Sequence, residues 1–161
     1  LFLLLLMKED NMKQACCNMA KNLLWDFRFD SKEYFKGTKY KMEYGKDGIV
    51  SGKEEEVFWQ CFSRWKAGYS LSEETAQIYL SKLEKIIDKR VRAIVSGQYR
   101  NHYRSVAELA AALGEVKESR GEVSAKENIL QKYKEEFPRH SSFHGELREN
   151  GMKDDRKKKK K

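Results

Sequence analysis

Hydrophobic residues recur every three or four positions over most of the 161 residues, which is the period of one face of an α-helix. The clearest example begins after Ser72, a residue type that favours helix N-caps, and ends at Gly97. Its predicted inward stripe consists of Ala76, Tyr79, Leu80, Leu83, Ile87, Val91 and Ile94. The pattern therefore predicts a helix of about six turns.

Similar stripes predict helices before and after this one. They cover residues 8–28, 51–67, 101–120 and 122–136. The third of them carries Tyr103, Val106, Ala110 and Leu113 on its inner side. Pro138 ends the fourth and suits the first turn of a last helix, which Gly151 closes. Because short glycine-marked loops join consecutive helices, we expect neighbours to pack antiparallel.

Residues 39–50 depart from the helical period. Polar and apolar residues alternate from Lys39 to Tyr44, and Gly45-Lys46-Asp47-Gly48 precedes Ile49-Val50. This pattern is typical of a small β-hairpin, and an aromatic loop lying across helices fits it equally well. We therefore predict an all-α fold, a bundle or short solenoid of five to six antiparallel helices, with a candidate β-hairpin near residues 39–50.

The two ends differ in character from the body of the chain. Leu1 to Leu6 is apolar and lacks the basic flank of a signal peptide, so we interpret residues 1–6 as a fragment or an upstream extension. Residues 7–152 form a single predicted helical domain. Residues 153–161 end in a lysine run and predict a disordered basic tail. The apolar run from Leu1 to Met7 is far shorter than the roughly 20 residues of a membrane span, so no membrane contact is expected.

The net charge of +8 is concentrated in two places. Residues 153–161 carry a net charge of +5, and so do residues 82–104, where seven Lys and Arg residues face only Glu84 and Asp88. The three cysteines include the adjacent pair Cys16-Cys17 and form no CxxC motif. Such a set does not indicate a disulfide framework, and a reducing cytoplasmic location is expected.

No motif in the sequence indicates catalysis, a metal or a cofactor. His140 and His144 lie four residues apart, a spacing that suits zinc, but a site needs a third ligand and the HExxH motif is absent. Cys61 lies among aromatic residues, where a thiol behaves as a small hydrophobic group. The glycines form neither GxGxxG nor a Walker-type loop. We therefore expect a non-enzymatic protein.

The strongest candidate for a functional surface is the basic stretch that starts at Lys82. Lys82, Lys85, Lys89 and Arg92 follow at spacings of three, four and three, so they share one helix face. Such a row can neutralise phosphates, and a nearby tyrosine can stack on a base; a solvated outer face is the alternative interpretation. The candidate contact residues are Lys82, Lys85, Lys89, Arg92, Tyr99, Arg100, Tyr103 and Arg104.

Two stretches resemble the helices that follow the zinc finger in bacterial SWIM-type zinc-finger proteins. They are YRSVAELAAALGEVKESRG at residues 103–121 and YKEEFPRHSSFHGELR at residues 133–148, and the resemblance extends over about residues 70–152. It implies a zinc-dependent binding protein that contacts nucleic acid or protein. The family's zinc motif, a CxC pair followed by CxH, is absent from this chain, so no zinc ligand is carried over.

These observations lead to two functional hypotheses. The first is a non-enzymatic intracellular, cytoplasmic helical domain that binds a protein partner. The alternative is a nucleic-acid-binding accessory module of a SWIM-type zinc-finger protein. Phosphate contacts give a steep dependence of affinity on salt, whereas protein contacts usually give a shallow one, so a salt titration separates the two. The pattern does not set the oligomeric state.

Overall fold

The structure is a computed structural model that describes residues 2–8, 13–20, 22, 60, 62–64, 66–68 and 71–153. Its α-helices are α1 (Phe2–Leu6), α2 (Glu73–Ser96), α3 (Tyr103–Ser119), α4 (Ala125–Glu136) and α5 (Ser141–Glu149). Residues 14–20 and most of 60–68 are also helical, and a 3-10 turn, Arg100–His102, precedes α3. The described residues contain no strand, which confirms the all-α class. The seven helical segments slightly exceed the predicted five to six.

Two of the sequence predictions concern parts of the chain outside the described residues. The candidate hairpin near residues 39–50 is one of them. The other is the basic tail, of which only Lys153 is described.

The limits of α2 follow from local side-chain chemistry. Ser72 is the N-cap, and its Oγ accepts a hydrogen bond of 3.2 Å from the backbone N–H of Thr75. Gly97 ends the helix and donates its N–H to Ala93 O at 3.2 Å. The buried stripe is Ala76, Leu80, Ile87, Val91 and Val95. Tyr79 was expected inside but is 49% exposed, because the helix is rotated so that Val95 completes the stripe instead.

Helix α3 lies at the centre of the described fold and contacts α1, α2, α4 and α5. A helix with neighbours on so many sides must carry apolar or small side chains around nearly its whole circumference. Accordingly, its fully buried residues include the small side chains Ala107, Ala110, Ala111, Ala112 and Gly114. These small side chains allow the neighbouring helices to pack close to the axis of α3, and a Cβ at Gly114 would lie 2.5 Å from Lys126 Cγ of α4.

Aromatic rings join α4 and α5 to α3. Phe143 of α5 packs edge-on against Tyr103 of α3, with ring centroids 5.6 Å apart, and against Tyr133 of α4 at 5.9 Å. Both tyrosines and Phe143 are buried. Pro138 does end α4, but α5 begins only at Ser141, so Pro138 lies in the connecting turn rather than in the first helical turn.

The apolar start of the chain packs into the same core. Leu3, Leu4 and Leu6 of α1 are buried, and Arg120 at the end of α3 donates from Nε to the Leu6 carbonyl oxygen at 2.6 Å. The origin of residues 1–6 as an extension stays a prediction, but these leucines contribute to the hydrophobic core of the described domain. None of the described helices is both long enough and apolar enough to span a membrane.

Candidate functional site

Three of the predicted lysines lie together on the outward side of α2. Successive residues of a helix are rotated by about 100°, which places Lys82 and Lys89 nearly opposite the buried stripe and Lys85 beside them. All three side chains are exposed. The spacing seen in the sequence therefore does put these lysines on one solvent-facing surface.

Arg92 has a different environment from the three lysines. Its guanidinium faces α4, where Nε donates to Glu136 Oε1 at 2.5 Å and Nη2 donates to Oε2 at 3.2 Å. This bidentate contact raises the pKa of Arg92 and takes up two of the five N–H donors of its guanidinium. Arg92 is therefore an intramolecular ion-pair residue in this structure.

The two acidic residues of the stretch lie beside the core and not beside the exposed lysines. Glu84 pairs with Lys117 of α3, with Oε2 3.1 Å from Nζ. Asp88 accepts hydrogen bonds from Lys132 and from the Tyr133 hydroxyl of α4, the latter at 2.6 Å. Burial acts to raise the pKa of Asp88, but these two hydrogen bonds and the positive charges of Lys132 and Arg92 together outweigh it, so the pKa is lowered.

These inward pairs change the charge balance of α2. Both acidic side chains between residues 75 and 96 are held by cations of other helices, and no described acidic side chain pairs with Lys82, Lys85 or Lys89. Within the described residues, the middle of the outward side of α2 therefore carries cations without an ion-pair partner, while the exposed Glu74 lies at its N-terminal end. The sequence alone suggested partial compensation by Glu84 and Asp88.

Large apolar side chains lie among these lysines. Ile78 is 50% exposed, Ile86 is 62% exposed and Tyr79 is 49% exposed. The ammonium group of Lys82 lies 5.5 Å from the centroid of the Tyr79 ring, a distance that permits a cation–π interaction. We call the set Ile78, Tyr79, Lys82, Lys85, Ile86 and Lys89 the outer face of α2. The sequence prediction missed both isoleucines, whose separation of eight residues could have indicated a second apolar line on the helix.

The remaining predicted residues lie around the start of α3. Tyr99 is 60% exposed, and Arg100 and Arg104 are exposed. Tyr103 is only 3% exposed and its ring packs on Phe143, so it is a core residue and its ring is closed to base stacking. Its position on the inner stripe, which the sequence also predicted, decides its role.

Arg104 also lines an open polar cleft of about 430 Å³. The other described lining residues are Asn18, Asn22, Asn101, Ser105 and Glu108. Glu108 accepts a hydrogen bond of 3.1 Å from Asn22 Nδ2. Burial raises the pKa of Glu108, and Arg104 and Asn22 offset only part of this effect. The cleft holds groups that could hydrogen-bond a polar molecule.

Among the histidines and cysteines of the described residues, His144 and Cys16 are buried. His144 is 7% exposed beside Phe143, and burial, then Arg148 and Lys134, lower its pKa. Among the described residues, no group of three or more His, Cys, Asp or Glu could hold a metal ion. Burial and the nearby Glu115 raise the pKa of the Cys16 thiol, which disfavours the nucleophilic thiolate.

The geometry thus divides the predicted contact residues into the outer face of α2, a group around Tyr99 and Arg104, the ion-paired Arg92 and the buried Tyr103. Neither family models, nor curated proteins, nor solved structures give any match to this chain. The resemblance to SWIM-type proteins therefore stays a prediction.

Proposed function

We propose that this protein is a non-enzymatic, intracellular helical domain that binds another protein through the outer face of α2. The observation that carries the proposal is the exposure of Ile78 and Ile86 on the same side of a 24-residue helix. Single exposed apolar residues are common on protein surfaces, but a line of them with uncompensated lysines between them is typical of an interaction surface.

The apolar residues offer binding energy that a purely charged surface lacks. Burying a whole isoleucine side chain contributes about 1.5–3 kcal/mol, so covering the half-exposed Ile78 and Ile86 would contribute about 1 kcal/mol each. Tyr79 adds a large ring of the type that is enriched at interface centres. The lysines would add electrostatic steering and orientation of the partner.

The second candidate is contact with nucleic acid, which the SWIM-type resemblance also implies. The observation in its favour is the exposed Tyr99 beside Arg100 and Arg104, next to the polar cleft. The isoleucines count against nucleic acid on α2, because phosphate contacts make no use of them. Arg92, which would extend the row, is occupied by Glu136.

The test compares the proteins captured by the full chain with those captured by an Ile78→Gln/Ile86→Gln variant. Glutamine keeps helix propensity, so the fold should be preserved, which far-UV circular dichroism verifies. Val123→Gln is the matched control, because Val123 is 84% exposed and lies in the loop between α3 and α4, outside the outer face of α2. We expect a protein that the wild type and the control retain and the double variant loses.

Nuclease treatment of the sample separates the two candidate functions. Capture that disappears with nuclease, or an oligonucleotide affinity that falls steeply with salt, would favour the nucleic-acid module. Capture that survives in the double variant would contradict the role of the outer face of α2.

A further inference from the structure

We infer that the partner segment is an acidic amphipathic helix that lies along the outer face of α2. The inference rests on the proposed function and adds to it the chemistry of the partner. Its basis is the combination of two exposed isoleucines with cations that no described acidic side chain balances.

The charge of the outer face of α2 favours an acidic partner. Lys82, Lys85, Lys89 and Arg90 are all exposed on α2. Glu84 is already engaged by Lys117, and Asp88 by Lys132 and Tyr133, so neither can neutralise these cations without breaking a contact between helices. A binding partner that brings carboxylates would complete these ion pairs, and a neutral or basic partner would not.

The spacing of the two exposed isoleucines suits a helical partner. Ile78 and Ile86 are eight residues apart, which corresponds to about 12 Å along the helix axis. A partner helix places apolar side chains at the same interval when they recur at i and i+7 or i+8, and an intermediate i+4 residue would lie against the stem of Lys82. Lys85 and Arg90 flank the line between the two isoleucines, where acidic residues beside the partner's apolar stripe would reach them.

The same features disfavour the other occupants of this surface. A second copy of the outer face would bring like charges together, which opposes association. An anionic lipid surface takes up a helix through a broad apolar face, but the main apolar stripe of α2, including Leu80 and Val91, is buried in the core. Nucleic acid would use the cations and leave the isoleucines in water.

The experiment is a selection of peptides from a random display library on the immobilised 161-residue chain. Counter-selection on the Ile78→Gln/Ile86→Gln variant removes peptides that bind elsewhere. We expect enriched peptides with net negative charge and apolar residues at helical spacing, which become helical on binding by circular dichroism. Fluorescence anisotropy then measures their affinity for the wild type and for each variant.

Three variants sharpen the expected result. The isoleucine double variant should weaken binding of a selected peptide by about thirtyfold, which corresponds to about 2 kcal/mol of lost apolar burial. Replacing Lys82, Lys85 and Lys89 with Gln should weaken it as well, and the effect should shrink at high salt. The matched control replaces three exposed cations outside α2 with Gln: Lys8, Arg139 and Lys153. It should leave the affinity within about twofold, because these cations lie outside the surface that the peptide contacts.

Several outcomes would overturn the inference. They are enriched peptides that are neutral or basic, no enrichment at all, or equal losses in the lysine variant and its control. A photoreactive residue in place of Ile86 that cross-links to residues 23–59 of the same chain, to a second copy, or to an oligonucleotide would identify a different occupant. If natural capture still requires Ile78 and Ile86 but the peptides are not acidic helices, only this inference fails and the proposed function stands.

Discussion

Replacing Glu115 should be among the most destabilising single changes in the described domain. Glu115 lies on α3 and is 1% exposed, within an otherwise apolar and small-residue surface. Its Oε1 accepts a hydrogen bond from the backbone N–H of Ala15 at 3.0 Å, and its Oε2 accepts one from Cys16 at 2.9 Å. Residues 14–20 are helical, so these donors belong to a first turn, where backbone N–H groups have no partner within the helix. Glu115 therefore caps this helix from another part of the chain.

The structure sets the size of the expected effect. Glu115→Ala leaves two buried N–H donors without an acceptor, and hydrogen bonds to a charged group contribute about 1.5–3 kcal/mol each. Lys126 Nζ, 3.7 Å from Oε1, also loses its partner but can turn toward water. The cost of burying the carboxylate is relieved at the same time, so we expect a loss of about 3–5 kcal/mol. Glu115→Gln keeps one acceptor oxygen and should lose about half as much.

Urea unfolding of the full chain, followed by far-UV circular dichroism, measures this loss. Amide hydrogen exchange at Ala15 and Cys16 provides a local readout, and protection there should fall more than at Leu130 of α4. Glu135→Ala is the matched control, because Glu135 is exposed and accepts a single hydrogen bond among the described residues, from Gln131 Nε2. It should cost less than about 0.5 kcal/mol. A loss below about 1 kcal/mol for Glu115→Ala would refute the capping argument.

Three further measurements test the packing of α3 and α5. Gly114→Ala should lower the free energy of urea unfolding by about 1 kcal/mol, because the new Cβ would lie 2.5 Å from Lys126 Cγ and the overpacking outweighs the gain in helix propensity. Gly145→Ala should instead raise it by about 0.5–1 kcal/mol, because nothing lies within 4 Å of the new Cβ. Leu113→Ala should cost about 2–5 kcal/mol, and a loss below about 0.5 kcal/mol would show that Leu113 does not face the core. The pKa of His144 is lowered, so the folded state disfavours its protonation, and stability should fall as the pH decreases from about 7 through roughly 6.5 to the folded-state pKa. His144→Gln should flatten this pH dependence.

The limits of α2 could be predicted because the signals that set them are local. The capping hydroxyl of Ser72 and the terminating Gly97 lie within a few residues of the backbone groups they affect. The rotation of α2 about its own axis was harder to predict. Tyr79 and Val95 lie on opposite edges of the same stripe, and the positions of α3 and α4 decide which edge faces the core. That information is spread over distant parts of the chain.

The candidate site likewise combines features that local sequence determines with features that depend on distant parts of the chain. Lys82, Lys85 and Lys89 do share an exposed face, as their spacing predicts, because helical periodicity alone determines it. The partners of Arg92 and Asp88 lie 44 and 45 residues further along the chain, at Glu136 and Tyr133. Pairs at such separations depend on which helices become neighbours, so a single sequence does not reveal which charges remain uncompensated.

Glu115 and the isoleucines of α2 depart from the hydrophobic pattern in opposite directions, and the physics of the two departures differs. A buried carboxylate without partners would cost several kcal/mol, so its hydrogen bonds must form as the domain folds. Ala15 and Cys16 provide them. The exposed Ile78 and Ile86 forgo only about 1 kcal/mol each, which a folded domain tolerates. The chain itself must provide the hydrogen bonds of a buried polar group, whereas an exposed apolar group can be covered later by a binding partner. This difference is why we propose the outer face of α2 as the binding surface.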